Sequence, residues 1–223
     1  MNCVCQSEIP YLFDFDGTLV DTIAGLEAAT NLFRQQLGLA AVSLAMVKSW
    51  IGGGLEPLLA AAGNLAEVTQ AHRELFYDHY VGAPLLASVP YSGIENLLNR
   101  LIGQRPLVIV TNKNERSLKM LVEHLVWERY FDAIVCPDNA DCRKPDRAVA
   151  DVVWQQLGIR PKRAVMFGDS EFDIEFAHNA QLVSVACAWG YRDQATLRGA
   201  NPDLLLSAAT EIDPEQIDRL VRQ

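Results

Sequence analysis

The sequence predicts an α/β fold built on a doubly wound parallel sheet, with an all-helical segment inserted near its start. Three patterns carry that expectation. Short apolar runs ending in turn or polar residues recur at Ile9 to Phe15, Pro106 to Thr111, Asp132 to Cys136, Ala164 to Gly168 and Leu182 to Ala188, and these read as buried strands. Amphipathic stretches with helical spacing lie between them, such as Ile94, Leu97, Leu98 and Leu101, then Leu118, Leu121, Val122 and Leu125. Alternation of this kind covers both faces of a parallel sheet with helices and puts reactive groups at strand C-termini. The third pattern is a break: from Asp21 to about Ser88 several helical periods appear without a convincing strand.

The first strand runs into Asp14-Phe15-Asp16-Gly17-Thr18. Residues two apart on a strand share a face, so Asp14 and Asp16 project together at its end while Gly17 lets the chain turn sharply away. Two adjacent carboxylates repel. They are tolerable if a divalent cation lies between them, or if one is a nucleophile and the other carries a proton as acid and base. A turn whose Asp merely caps the following helix needs only one.

The interrupted interval comes next, with a helix at Ile23 to Leu37, the run Gly52-Gly53-Gly54 and a long helix around Leu65 to Tyr80. Pro90, Ser92 and Gly93 supply turn chemistry where the chain returns. The expected division is a core of residues 1–20 and 89–223 with a helical cap of residues 21–88.

Three later segments end strands in polar groups. Val108-Ile109-Val110-Thr111-Asn112 finishes in a hydroxyl and an amide, which together with free backbone N–H groups suit phosphoryl oxygens, although strands also end in Thr-Asn simply to turn. Arg143-Lys144-Pro145 presents Lys144 just outside a helix whose first position tolerates proline. A cation has work to do there, because a carboxylate approaching a phosphate dianion meets about 4 kcal/mol of repulsion per unit-charge pair at about 4 Å and an effective dielectric of about 20. Phe167-Gly168-Asp169-Ser170-Glu171-Phe172-Asp173 passes from strand to helix, and its two Asp, four apart, share a face. Mg²⁺ takes one or two carboxylates plus waters and substrate phosphate, which suits Asp14, the Asp16 carbonyl and Asp169, with Asp173 orienting a water or Lys144 from behind.

Composition sets limits on partners. With 19 basic against 28 acidic residues, a net charge of -9 argues against broad binding to nucleic acid or an anionic membrane, so an anionic substrate must be attracted locally. No apolar run approaches the roughly 20 residues of a membrane span, and residues 1–10 do not read as a secretory signal, which together predict a cytoplasmic protein. Five cysteines fit reduced thiols; neither Cys3 with Cys5 nor Cys136 with Cys142 has common zinc spacing. His72, His79, His124 and His178 fall in helical patterns without ligand spacing, so no role is expected of them.

Taken in order, the four segments resemble the motifs of the haloacid dehalogenase superfamily: Asp14 to Thr18, the strand ending in Thr111, Lys144, and Gly168-Asp169 with Asp173. The resemblance covers essentially the whole chain. It implies that Asp14 attacks phosphorus to form an aspartyl-phosphate, and that Asp16 protonates the leaving group and then activates water. It further implies a catalytic set of Asp14, Asp16, Thr111 and Lys144, phosphate contacts from Gly17, Thr18, Thr111, Asn112 and Lys144, and a Mg²⁺ site of Asp14, Asp16, Asp169 and Asp173. The substrate it implies is a small phosphorylated metabolite, handled by a monomer or homodimer.

Trp50 to Gly54, Pro90 to Gly93, Thr111-Asn112-Lys113 and Trp189-Gly190-Tyr191 look closest to phosphoglycolate phosphatases. The chain departs from that branch at Asp146-Arg147-Ala148-Val149 after Lys144-Pro145, and at Gln181, where glycine is usual. A phosphomutase shares the aspartyl-phosphate and differs only in the acceptor. A pyrophosphatase, a nucleotide phosphatase or a non-catalytic binding module on the same fold would also be compatible with these motifs. Asp16 argues against dehalogenation. A phosphonatase needs a cap lysine, and the insert's Lys48 reads better as a surface or substrate-contacting residue.

Overall fold

The structure is a computed structural model that describes residues 9–81, 85 and 87–222; Cys3, Cys5 and the rest of the segment read for a targeting signal up to residue 8 lie outside the described residues. The strands are β1 (Tyr11–Phe13), β2 (Val20–Asp21), β3 (Val89–Pro90), β4 (Leu107–Val110), β5 (Ala133–Val135), β6 (Val165–Gly168), β7 (Val183–Cys187) and β8 (Leu204–Leu206). Six of them form one parallel sheet in the order β5-β4-β1-β6-β7-β8. Each of the five apolar runs holds a strand, shorter by one to four residues because pairing stops where the chain turns.

The sheet places β1 at its centre. From β1 the chain builds β4 and β5 on one side, then crosses back to build β6, β7 and β8 on the other. A crevice therefore opens at the C-terminal ends of β1, β4 and β6, where the winding direction reverses. Alternation along β1 packs both faces: Tyr11 and Phe13 join Phe167, whose ring stacks on Phe13 at 4.7 Å, while Leu12 meets Val108, Val110 and Met166 on the other side.

β8 was not expected. Leu204-Leu205-Leu206 is too short to show a period, and its place is fixed from outside by Asp203, whose Oδ2 accepts from the Ser184 N–H at 2.8 Å and hydroxyl at 2.7 Å.

The interval after β1 folds into α1 (Ile23–Gln36), α2 (Leu44–Trp50), α3 (Leu55–Gly63) and α4 (Gln70–Tyr80). Leu26, Ala29 and Phe33 of α1 pack against Leu58, Leu59 and Ala62 of α3 and Phe76 and Tyr80 of α4. The long helix expected from Leu65 is shorter than that. Asn64, at φ +53, ends α3, Leu65 to Thr69 form a loop, and α4 begins only where the Thr69 N–H donates to His72 Nδ1 at 3.2 Å. His72 thus has a helix-starting role that its spacing did not announce. β2 and β3 pair antiparallel, so the chain leaves for this helical lobe and returns from it side by side.

The remaining helices are α5 (Ile94–Leu101), α6 (Glu115–His124), α7 (Pro137–Ala140), α8 (Ala148–Leu157), α9 (Glu171–Asn179), α10 (Gln194–Gly199) and α11 (Pro214–Val221). Both departures from the expected pattern have local explanations. Asp146 is exposed, and its Oδ1 accepts from the Ala148 N–H at 2.8 Å, so its charge serves the start of α8. Gln181 sits at φ +60 between α9 and β7, the left-handed conformation that glycine adopts without a steric cost.

Candidate active site

Backbone pairing sets the first two groups. The Asp14 N–H donates to the Phe167 carbonyl at 2.9 Å and the Thr111 N–H to the Val135 carbonyl at 3.0 Å, so both residues stand on the last rung of their strands. Asp169 follows β6 directly. Lys144 enters from the loop between α7 and α8, and its ammonium donates to Asp14 Oδ1 at 2.8 Å and Asp173 Oδ1 at 2.5 Å. Asp173, in the first turn of α9, accepts on its other oxygen from the Ser170 N–H at 3.0 Å and hydroxyl at 2.6 Å.

Asn112 touches Lys144 from behind. Its Oδ1 accepts from the Lys144 N–H at 2.9 Å, and its Nδ2 donates to the carbonyls of Lys144 at 3.1 Å and of Gly52 in the lobe at 2.9 Å. An amide carries both a donor and an acceptor, so it can clasp a peptide on both edges. The residue expected on phosphoryl oxygens thus has its side chain on two backbone segments. The Thr111 hydroxyl accepts from the Lys113 N–H at 3.2 Å.

Asp169 is wrapped closely. Its Oδ1 accepts from the Thr18 hydroxyl at 3.3 Å and its Oδ2 from the Tyr191 N–H at 2.7 Å. A Cβ at Gly17 or at Gly190 would overlap that carboxylate, so only glycine lets both loops approach it.

The Asp16 carboxylate turns elsewhere. Its Oδ1 accepts from the Thr22 hydroxyl at 2.6 Å, and the Lys113 ammonium donates to both oxygens, at 3.0 and 3.1 Å. The same ammonium donates to the Tyr80 hydroxyl of α4 at 2.9 Å. The Tyr191 hydroxyl accepts from the Thr22 N–H at 2.9 Å. Sequence reading assigned no roles to Lys113, Tyr80, Thr22 or Ser170. Only the Thr-Asn-Lys run pointed toward Lys113, and nothing in a loop lysine's spacing names a carboxylate 97 residues earlier.

The four carboxylates Asp14, Asp16, Asp169 and Asp173 face two ammonium groups. Burial pushes the Asp14 carboxyl up to about 6 although Lys144 pulls it down. Burial, then Asp14 and Asp173, hold Asp169 well above the usual carboxylate range. For Lys144 and Lys113, burial works against the charged form, yet Asp14 and Asp173 around the first, and Asp16 and Tyr80 around the second, outweigh it and raise both.

The excess of negative charge sits on the trio Asp14, Asp169 and Asp173, whose nearest ligand atoms lie within 4.8 Å of one another. A hard divalent cation fits this oxygen-only, electron-rich set. Asp14 and Asp169 would hold it directly, from the ends of the adjacent strands β1 and β6, with Asp173 in the first turn of α9 bonded to Lys144 and Ser170. The Asp16 side chain stands apart from that trio, bonded to Lys113 and Thr22.

Core and lobe enclose a cleft of about 650 Å³ including its open mouth. Asp14, Asp16, Thr111, Lys113 and Asp169 line its floor, and Leu26, Leu55, Leu58, Phe76 and Tyr80 its roof. Arg192 ties the two together, donating to the Lys48 and Ile51 carbonyls at 2.6 and 2.7 Å while paired with Glu171 at 2.9 Å. The Lys48 ammonium lies over the Tyr191 ring, 5.8 Å from its centre. No described helix is long and apolar enough to cross a membrane.

Comparison with known proteins places the chain in a family. The sequence profile of haloacid dehalogenase-like hydrolases matches residues 11–187. A phosphoglycolate phosphatase of Chromobacterium violaceum is 35% identical over 216 residues, covering 90% of this chain and 92% of its own. An N-acetylmuramic acid 6-phosphate phosphatase of Pseudomonas aeruginosa is 35% identical over 186 residues, covering 81% of each. Among solved structures, a protein described as a predicted phosphoglycolate phosphatase from Haemophilus somnus superposes with a TM-score of 0.84 at 25% identity, covering 96% of this chain and 99% of that one.

Proposed function

The chain belongs to the haloacid dehalogenase-like hydrolase family, and from that premise we propose that it is a Mg²⁺-dependent phosphatase of small phosphate monoesters, working in the cytoplasm through an aspartyl-phosphate on Asp14. The observation that carries this reading is the meeting of Asp14 and Asp169, at the ends of adjacent strands, with Asp173 of α9 and Lys144 of the loop before α8, beside a cleft. The helical lobe of residues 21–88 serves as the cap over a core of residues 1–20 and 89–223.

Asp14 Oδ attacks phosphorus as the ester P–O bond breaks, and the leaving oxygen takes the proton of the Asp16 carboxyl. Water then attacks the aspartyl-phosphate, giving its proton to the Asp16 carboxylate, as the bond between phosphorus and Asp14 breaks and phosphate leaves. Lys144 holds the Asp14 oxygen that does not attack and offsets charge on the phosphoryl group, with the Asn112 amide fixing its backbone. Thr111, with Gly17 and Thr18, borders the phosphoryl position. Asp14 and Asp169, with the Asp16 carbonyl, would hold Mg²⁺, which would supply neutralisation of the phosphoryl oxygens. Excluding bulk water is the task of the apolar roof, Leu26, Leu58 and Phe76.

Phosphoglycolate and sugar-acid phosphates, named for the relatives, head the substrates to test. The test is phosphate release from these, sugar phosphates, nucleotides and pyrophosphate, with Mg²⁺ and with EDTA. Metal-dependent release from at least one monoester is expected. Turnover undiminished in EDTA would end the metal assignment, and conversion of a sugar phosphate to its isomer without phosphate release would make the chain a mutase.

A further inference from the structure

Among the described residues at the floor of the cleft, Lys113 is the charged one that the proposed mechanism leaves without a task. It is buried, at 8% exposure, and its ammonium has three oxygen partners within 3.1 Å: both oxygens of Asp16 and the hydroxyl of Tyr80. Asp16 lies on the loop after β1, Lys113 on the loop after β4, and Tyr80 in the last turn of α4 in the lobe. One side chain therefore joins the ends of β1 and β4 to the helical lobe.

We propose that Lys113 is a positioning residue for Asp16, holding its carboxylate in the orientation that handles protons, with Tyr80 completing the hold when the lobe lies over the core. The proposal rests on the reading of Asp16 as the acid and base.

The physical case is one of degrees of freedom. A carboxylate bonded only to the Thr22 hydroxyl at one oxygen rotates about its χ2 bond, whereas a cation bridging both oxygens fixes the plane of the group. Proton transfer needs that plane set to within hydrogen-bond reach of the ester oxygen and then of the water. The three partners of the Lys113 ammonium are protein oxygens. A point charge on a long stem is tolerable in this buried place only because Asp16 neutralises it, and the ion pair would lose its third partner if the lobe lifted Tyr80 away.

The experiment uses substrates that differ in their need for a proton. Dinitrophenyl phosphate has a leaving group stable without protonation, and an alkyl phosphate does not. In Lys113→Met, alkyl phosphate turnover is expected to fall about 100-fold, the scale of a general acid and base. With dinitrophenyl phosphate, the first equivalent of dinitrophenolate should appear at a rate within about threefold of the parent chain, because that step needs no proton, followed by steady turnover slowed about as much as the alkyl case. Lys113→Arg should recover part of both, and Tyr80→Phe should give the same pattern, weaker. Equal losses in the first-equivalent rate and in both turnovers would show a merely structural role and overturn the proposal, as would no loss at all. A parent chain giving no covalent phosphoryl-enzyme on rapid quenching would instead sink the mechanism on which it rests.

Discussion

The two buried lysines of the site differ in what surrounds them. Lys144 bonds to Asp14 and Asp173, one from the central strand's end and one from α9, with its own backbone clasped by Asn112, so its charge partners all belong to the core. Lys113 bonds to Asp16 in the core and to Tyr80 in the lobe. The first arrangement is fixed by strands already paired across the sheet, while the second is complete only when α4 lies over the cleft. The charge proposed to hold a phosphoryl group thus rests on the core alone, and the proposed proton-handling side also draws on the lobe.

The sharpest way to break this contrast is Asp14→Asn, which keeps size and removes the nucleophile. Turnover is expected to drop by at least about a thousandfold, in line with losses at catalytic nucleophiles, with folding retained by circular dichroism. A nearly unchanged rate would move the chemistry away from the Lys144 side altogether.

Lys144→Met comes next, since it strands two buried carboxylates. Denaturant melts should show a loss of about 3–5 kcal/mol, the cost of removing one partner from a buried ion pair. A loss under about 1 kcal/mol would mean that the Lys144 side is no more rigidly built than an exposed pair.

Metal and pH sharpen the contrast further. Asp14, raised to about 6 from 3.8, and Asp169, raised with it, favour the protonated form in the folded chain. The Asp14 contribution to stability is therefore fully present below the unfolded value near 3.8 and is lost as pH rises through about 6, and Asp169 acts in the same direction. Mg²⁺ relieves the repulsion that remains, so its addition should raise Tm by a few degrees more at about pH 7 than at about pH 5. An equal rise at both would separate the ion from these carboxyls.

The smallest effect is expected from Gln181→Gly, which touches neither lysine. Relief of a left-handed side chain against the added freedom of the unfolded chain should change stability by less than about 1 kcal/mol and leave activity alone. An activity change there would extend the site beyond the surroundings of the two lysines.

Apolar runs were enough to reveal five of the six strands of the parallel sheet, because a buried parallel strand must be a short apolar run whatever lies beside it. They also located Asp14, Thr111 and Asp169 at strand ends and Asp173 at a helix start, since polar residues following such runs have nowhere else to go. Asn64 and the Thr69–His72 contact split a stretch whose spacing suggests one long helix, because a left-handed stop and a side-chain cap act over single residues and leave no period. β8 escaped for the same reason.

By itself, then, the sequence determined the α/β class, the order of the chemical groups along the chain and the family, all of which rest on local pattern and residue type. Only the tertiary structure decided which lysine neutralises which carboxylate, that Asn112 clasps the Lys144 backbone, and that Lys113 links Asp16 to the lobe. Those pairings join residues tens to more than a hundred positions apart. They follow from strand order and the closing of α4 over the sheet, which no local spacing encodes.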